Sequence, residues 1–189
     1  MTDVQALSGD ALLSHTAALR SLYVDAFCAP PWNEDESRAT EFTDRLLTDV
    51  RRPGFAAAVA VREGEPVGFA TGWTTLDPFP GDRSYPQVVA ALGARDTADW
   101  LMGAREIDTL VVSHAAHGTG VASSLLRTVV AGAPGGRSWL LTSAGAPRAV
   151  AFYRREGWAQ VTHPSPDGKG IVVFLGPGHP GAALAAEPL

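Results

Sequence analysis

The residues whose types and spacing could do chemistry are concentrated between Glu106 and Leu126, in the run EIDTLVVSHAAHGTGVASSLL. A glycine-x-glycine turn, Gly118-Thr119-Gly120, separates an apolar stretch from a run of helical periodicity. A helix entered through such a turn leaves several backbone N–H groups without intrahelical acceptors, all at the positive end of the helix dipole. That is a site for an anion. Glycine at 118 and 120, with alanine at 122, also removes the side chains that would keep a pyrophosphate away from the backbone.

Other chemistries fit this turn poorly. A dinucleotide fingerprint needs a third glycine where Ser123 stands, an early place in the chain and an acid on the following strand. A phosphate-binding loop ends in Gly-Lys-Ser/Thr, whereas Gly168-Lys169 is followed by Gly170. His114 and His117 share the loop, but no third ligand or H-E-x-x-H pattern accompanies them, so no metal is expected. Cys28 is the only cysteine, which rules out an intrachain disulfide and a Cys-based zinc site.

Two stretches taken together are more specific. The first is His117-Gly118-Thr119-Gly120-Val121-Ala122 at a helix start; the second, after an intervening strand, is Ala149-x-x-Phe152-Tyr153-x-x-x-Gly157-Trp158. The pair resembles the acetyl-coenzyme A motif and the second signature of the GNAT superfamily of N-acetyltransferases, and the element order is similar from Thr2 to Leu175. The resemblance implies acetyl-CoA as cosubstrate, with the diphosphate on the N–H groups from Gly118 to Ala122 and Ser123 close by. It also implies a pantetheine arm paired with Leu110-Val111-Val112. In the family, the tyrosine matching Tyr153 protonates the departing thiolate. The glutamate matching Glu106 removes a proton from the attacking amine, and Asp108, two residues on along the same strand face, is a rival.

The chemistry asks for such groups. An alkylamine with a pKa of about 10.4 is protonated at neutral pH and must lose a proton before it attacks. A carboxylate can receive that proton, and a tyrosine with a pKa of about 10 still holds one to give. The chain departs from the family pattern at His114, in place of a proline, and at His117, in place of a basic or amide residue. It departs again at Ala146, in place of a capping asparagine, and 113–122 contains no Lys or Arg. Backbone donors survive these changes, while side-chain charge on the diphosphate becomes pH-dependent through His117 or is lost.

These residues need a scaffold. Ile107 to Val112 reads as a buried strand, and Val121, Ala122, Leu125, Leu126, Val129 and Val130 form one apolar stripe on the helix that follows, stopped at Gly132. Upstream, the pattern predicts a strand at Thr2 to Leu7 and a helix from Asp10 to Phe27. Asn33 is expected to cap a helix from Glu34 to Val50, and Phe55 to Val61 with Pro66 to Thr75 to form a hairpin. Downstream it predicts a helix at Pro86 to Leu101, strands at Ser138 to Thr142, Trp158 to Thr162 and Ile171 to Leu175, and a helix at Pro147 to Glu156. Strands separated by helices, plus a hairpin, make a mixed α/β sheet in one layered domain. On this reading residues 1–175 form a GNAT-like domain with 76–104 as an atypical insertion, either site wall or surface decoration, and 176–189 is a frayed tail.

The acceptor side rests on an aromatic and acidic elbow, Pro30-Pro31-Trp32-Asn33-Glu34-Asp35-Glu36. Trp32 and Glu34, with Trp73, are the candidate contacts to an amine, set against the plainer reading of Trp32 as a ring packed over the helix junction. A small-molecule amine is the expected acceptor, with a protein N-terminus or lysine as the alternative and a catalytically silent acyl-CoA-binding or interaction module as the second reading. A formal charge of −5, with 15 basic against 20 acidic residues, argues against nucleic acid. No apolar run reaches membrane-spanning length and no signal peptide is apparent, so no membrane partner and a cytoplasmic location are expected. The resemblance suggests a homodimer.

Overall fold

The computed structural model describes residues 2–183. In chain order the elements are β1 (Thr2–Leu7), α1 (Gly9–Leu13), α2 (Thr16–Phe27), α3 (Ser37–Asp49), β2 (Ala56–Arg62) and β3 (Glu65–Thr74). Next come α4 (Tyr85–Leu92), α5 (Ala94–Asp96), a π turn (Thr97–Leu101), β4 (Arg105–Val112) and α6 (Val121–Val130). The chain continues through β5 (Ser138–Ser143), α7 (Pro147–Arg155), β6 (Ala159–Gln160) and β7 (Ile171–Leu175). Seven strands form a mixed sheet in the order β1-β2-β3-β4-β5-β7-β6, flanked by helices, which is the architecture expected. The described residues divide into two compact units, 2–73 with 107–131 and 74–106 with 132–183.

In the first unit β1 runs antiparallel to β2 with Thr2 opposite Arg62, and β2 antiparallel to β3 with Ala56 opposite Gly72. The two-residue turn between β2 and β3 uses Glu63 and Gly64, at φ 54 and 87. Both left-handed positions match the twist of the strands they join. The helix expected from Asp10 to Phe27 is broken between α1 and α2. There the Ser14 and Thr16 hydroxyls donate back to the carbonyls of Ala11 and Leu13 at 2.7 and 2.6 Å, an alternative to the helical ladder. Asn33 does not cap α3. It adopts φ 48, and Asp35 instead accepts the Ser37 N–H at 2.8 Å, so the helix begins at Ser37.

The core of this unit gathers Leu12, Leu19, Phe42, Leu46, Phe69 and Val111. Of the α6 stripe Val121, Leu125, Leu126 and Val129 are buried and Ala122 and Val130 half-buried, and the helix packs on β1 and β2. Close approach depends on Gly68, where a Cβ would stand 2.8 Å from the Val111 carbonyl oxygen and 3.1 Å from Leu125 Cδ1.

In the second unit β7 is paired antiparallel with β5 on one side and with β6 on the other. Its core gathers Tyr85, Val88, Leu101, Trp139, Val173 and Leu175. The buried Trp139 indole N–H donates to Thr75 Oγ1 at 2.7 Å. The helix expected over 86–101 stops at Gly93, φ 82, and resumes as α5 and the π turn. The strand expected from Trp158 to Thr162 shortens to β6.

The frayed tail is corrected over 176–183. The Gly176 N–H bonds the Ser138 carbonyl at 2.8 Å, and His179 is 3 % exposed. Its Nδ1 accepts the Gly181 N–H at 3.0 Å, which leaves the proton on Nε2, 2.9 Å from the Trp100 carbonyl oxygen. The anchor is one imidazole rather than an apolar pattern, so hydrophobicity did not announce it. Residues 184–189 lie outside the described residues.

Two outcomes follow from this packing. Gly68→Ala should lower unfolding free energy by about 1–3 kcal/mol in urea titration, because the neighbours include backbone. Burial, aided by Arg137, holds the His179 imidazole below its ordinary pKa. A depressed histidine contributes stability above its unfolded pKa, about 6.5, and loses it as pH falls through and below that value. Calorimetric melts at pH 7.5 and 5.5 should therefore differ more in the native chain than in His179→Gln.

Candidate active site

The sequence-predicted cofactor contacts form one continuous segment at the end of β4, the loop and the start of α6. Along the strand Val111 is buried while Leu110 and Val112 are half-buried. The strand end is fixed by the Ser113 N–H to the Val67 carbonyl at 2.8 Å. A 3-10 turn, His114–Ala116, follows, and Thr119 Oγ1 donates to the Ala116 carbonyl at 2.7 Å. From the side, Arg62 braces this loop: Nε donates to Thr2 Oγ1 at 3.0 Å and Nη1 to the Ala115 carbonyl at 3.3 Å.

Gly118 and Gly120 adopt φ 73 and 79, and nothing within 4 Å would meet a Cβ at either position. Glycine is therefore required there by backbone conformation, and the space above it is open. The first ladder bond of α6 is Ser124 N–H to Gly120 carbonyl at 3.1 Å. The N–H groups of Val121 and Ala122 thus precede the ladder, and Gly120 at the N-cap has no side chain to accept them. Half-buried Ser123 completes the first turn, and Arg127 Nη2 reaches Ser124 Oγ at 3.3 Å. Backbone donors, open space and the dipole fit a diphosphate. His117 folds back on the strand end: its Nε2 lies 3.0 Å from the Val112 carbonyl oxygen, and its ring centroid is 4.7 Å from that of His114.

The acids differ in environment. Glu106 is 4 % exposed, and the Tyr85 hydroxyl lies 2.9 Å from each of its carboxylate oxygens. Tyr85 was missed by sequence reasoning, since a tyrosine beside a proline in an irregular segment carries no signal of its partner. Asp108 is half-buried and accepts the Thr109 hydroxyl at 2.9 Å.

At the elbow the Tyr23 hydroxyl donates to Glu34 Oε2 at 2.8 Å, and Trp32 meets Phe27 edge-on at 5.6 Å. Burial first, then the Glu34 contact and charge, and more weakly Asp108, push the Tyr23 hydroxyl well above the usual tyrosine range. Trp73 is packed as interior: it is 1 % exposed, and the Arg52 guanidinium stands 4.5 Å over its ring. The same Arg52 reaches Asp49 Oδ1 at 2.6 Å, so the cation on Trp73 is one that the chain supplies.

Helix α7 begins with Pro147 after Ala146, which gives no side-chain cap. It carries Tyr153, whose ring lies 6.1 Å from Trp158 and 5.8 Å from Phe174 between centroids. Burial raises its hydroxyl well above the usual tyrosine range. No hydrogen-bond acceptor is assigned to that hydroxyl among the described residues. Burial thus favours the protonated phenol, which can give a proton.

Comparison with known proteins follows this geometry. The model of the acetyltransferase (GNAT) family matches residues 16–158. Solved structures share the fold at low identity. The Corynebacterium glutamicum histone acetyltransferase HPA2 and related acetyltransferase is 20 % identical, with 93 % of this chain and 96 % of that one covered at a TM-score of 0.62. A GNAT-family acetyltransferase from Staphylococcus aureus is 12 % identical, covering 93 % and 98 %, at 0.61. The PaiA N-acetyltransferase from Thermoplasma acidophilum, solved in complex with coenzyme A, is 10 % identical, covering 92 % and 98 %, at 0.57. No curated protein matches the chain in sequence.

The left-handed turn makes its own forecast. Gly120→Ala should lower the unfolding free energy by about 1–2 kcal/mol in urea titration, since the loss comes from φ and not from crowding.

Proposed function

Because the chain belongs to the GNAT family of acetyltransferases, we propose that it transfers the acetyl group of acetyl-CoA to a primary amine of a small molecule. The observation that carries this reading is the start of α6, where positive-φ glycines and unladdered amides leave an open, main-chain-lined place for a diphosphate. Residues 1–175 are then the transferase domain. Leu110 to Val112 and the segment from His117 to Ser123 hold the cosubstrate, which supplies the activated acyl group.

The chain's own residues handle protons. A carboxylate, Glu106 with Asp108 as its rival, removes the proton that keeps the amine from attacking. Tyr153, held protonated by burial, donates to the leaving sulfur. Trp32 and Glu34 form an acidic, aromatic wall suited to an ammonium group. Trp73 has no part in this wall, since Arg52 occupies its ring. No residue of 113–122 is Lys or Arg, and this favours a second reading, a catalytically silent module that binds an acyl-CoA, or nothing, and acts through interaction.

Calorimetry with acetyl-CoA and a free-thiol assay over an amine panel separate these readings. Acetyl-CoA should bind with a dissociation constant below about 100 μM, and at least one amine should release thiol. Absent binding removes the enzyme reading; binding without turnover leaves the silent module. Tyr153→Phe should lower turnover at least about tenfold with affinity kept, and unchanged turnover would retire Tyr153 as the acid.

A further inference from the structure

The segment 76–104, read in the sequence as an insertion, carries the group in contact with the candidate base. Tyr85 opens α4, and its ring is set by Phe79 at 5.2 Å and Trp139 at 6.4 Å between centroids. From there its hydroxyl meets both oxygens of Glu106 at 2.9 Å, with the two residues 2 % and 4 % exposed. Burial alone favours the neutral, protonated carboxyl, whereas a hydroxyl donated to the carboxylate favours the anion. A carboxyl that must accept a proton at neutral pH needs the second effect to prevail over the first.

We propose that Tyr85 is a positioning residue that holds Glu106 ionised and oriented for proton removal, and that the 76–104 segment is thereby part of the machinery. The inference rests on the acetyl-transfer reading only for what the proton removal serves. The phenol transfers nothing: it keeps its own hydrogen, and the proton from the amine goes to Glu106.

Other charged groups lie near the pair. Arg83 lies 6.0 Å from the Tyr85 ring centroid, and Arg105 and Asp108 flank Glu106 on β4. Strand β7, on which α4 packs, carries no titratable side chain. Beyond α4 stand Arg95, Asp96 and Asp99, of which Arg95 and Asp99 form an exposed pair at 3.6 Å.

Carbon-13 NMR of the free, full-length protein tests this without an acceptor. With 13C-labelled glutamate carboxyls, and the Glu106 signal assigned by its loss in Glu106→Gln, the Glu106 titration midpoint should rise by about one pH unit in Tyr85→Phe. An unmoved midpoint overturns the proposal. Should Tyr85→Phe fail to fold, the chain's three tyrosines allow the converse reading. At constant pH 7 the Tyr85 13Cζ resonance should shift in Glu106→Gln, and no shift overturns the proposal equally.

Once the panel yields an acceptor, the acid limb of the Tyr85→Phe pH–rate profile should move upward by the same amount, with activity recovering at high pH. A loss equal at every pH would mark Tyr85 as merely structural and overturn the proposal. Failure of acetyl-CoA to bind would remove the transferase reading while leaving the NMR coupling standing, so the two failures are told apart.

Discussion

Everything at the candidate site depends on one backbone event, the left-handed passage through Gly118 and Gly120 into α6. A residue at positive φ turns the chain sharply enough that the first amides of the helix face outward together before any carbonyl is available to them. The passage is held on three sides: Ser113 is bonded to Val67, Thr119 to Ala116, and Arg62 to the Ala115 carbonyl. Behind it, Gly68 lets β3 lie against the Val111 backbone and Leu125, so that the helix sits deep on its strands. Local turn chemistry and tertiary packing thus ask for the same geometry, and that agreement holds the turn in one shape.

The titratable side chains stand in unequal environments. Glu106 and Asp108 stand two positions apart on one strand, yet one is nearly enclosed and bonded by a tyrosine while the other is half-buried beside a threonine. Tyr153 and Tyr23 are both raised by burial, but only Tyr23 is bonded to a carboxylate. Identical side-chain types therefore have different work open to them, and neighbours rather than identity decide which.

The sequence disclosed what repeats or obeys local rules. The α6 stripe, the Glu63-Gly64 hairpin and the glycine turn were legible because periodicity and positive φ leave marks on residue type. Proline at the start of α7 and Gly157 after its end were legible for the same reason. Long-range side-chain pairings were not. Tyr85 reaches Glu106 across 21 positions and His179 reaches Trp100 across 79, and no local pattern encodes either. The contact of Arg52 with the Trp73 ring is likewise a pairing across 21 positions that no local pattern encodes. The helix boundaries near Ser14, Asn33 and Gly93 moved where a hydroxyl, a carboxylate or a glycine offered the backbone another bond or turn.

Donors that belong to the main chain have an evolutionary corollary. Any residue except proline keeps its N–H, so exchange of His117, Thr119, Val121 or Ala122 leaves the number of donors intact and alters only shape and polarity around them. Recognition of this kind is inherited through curvature instead of through an inventory of charged letters. A chain with no Lys or Arg in 113–122 presents these donors all the same.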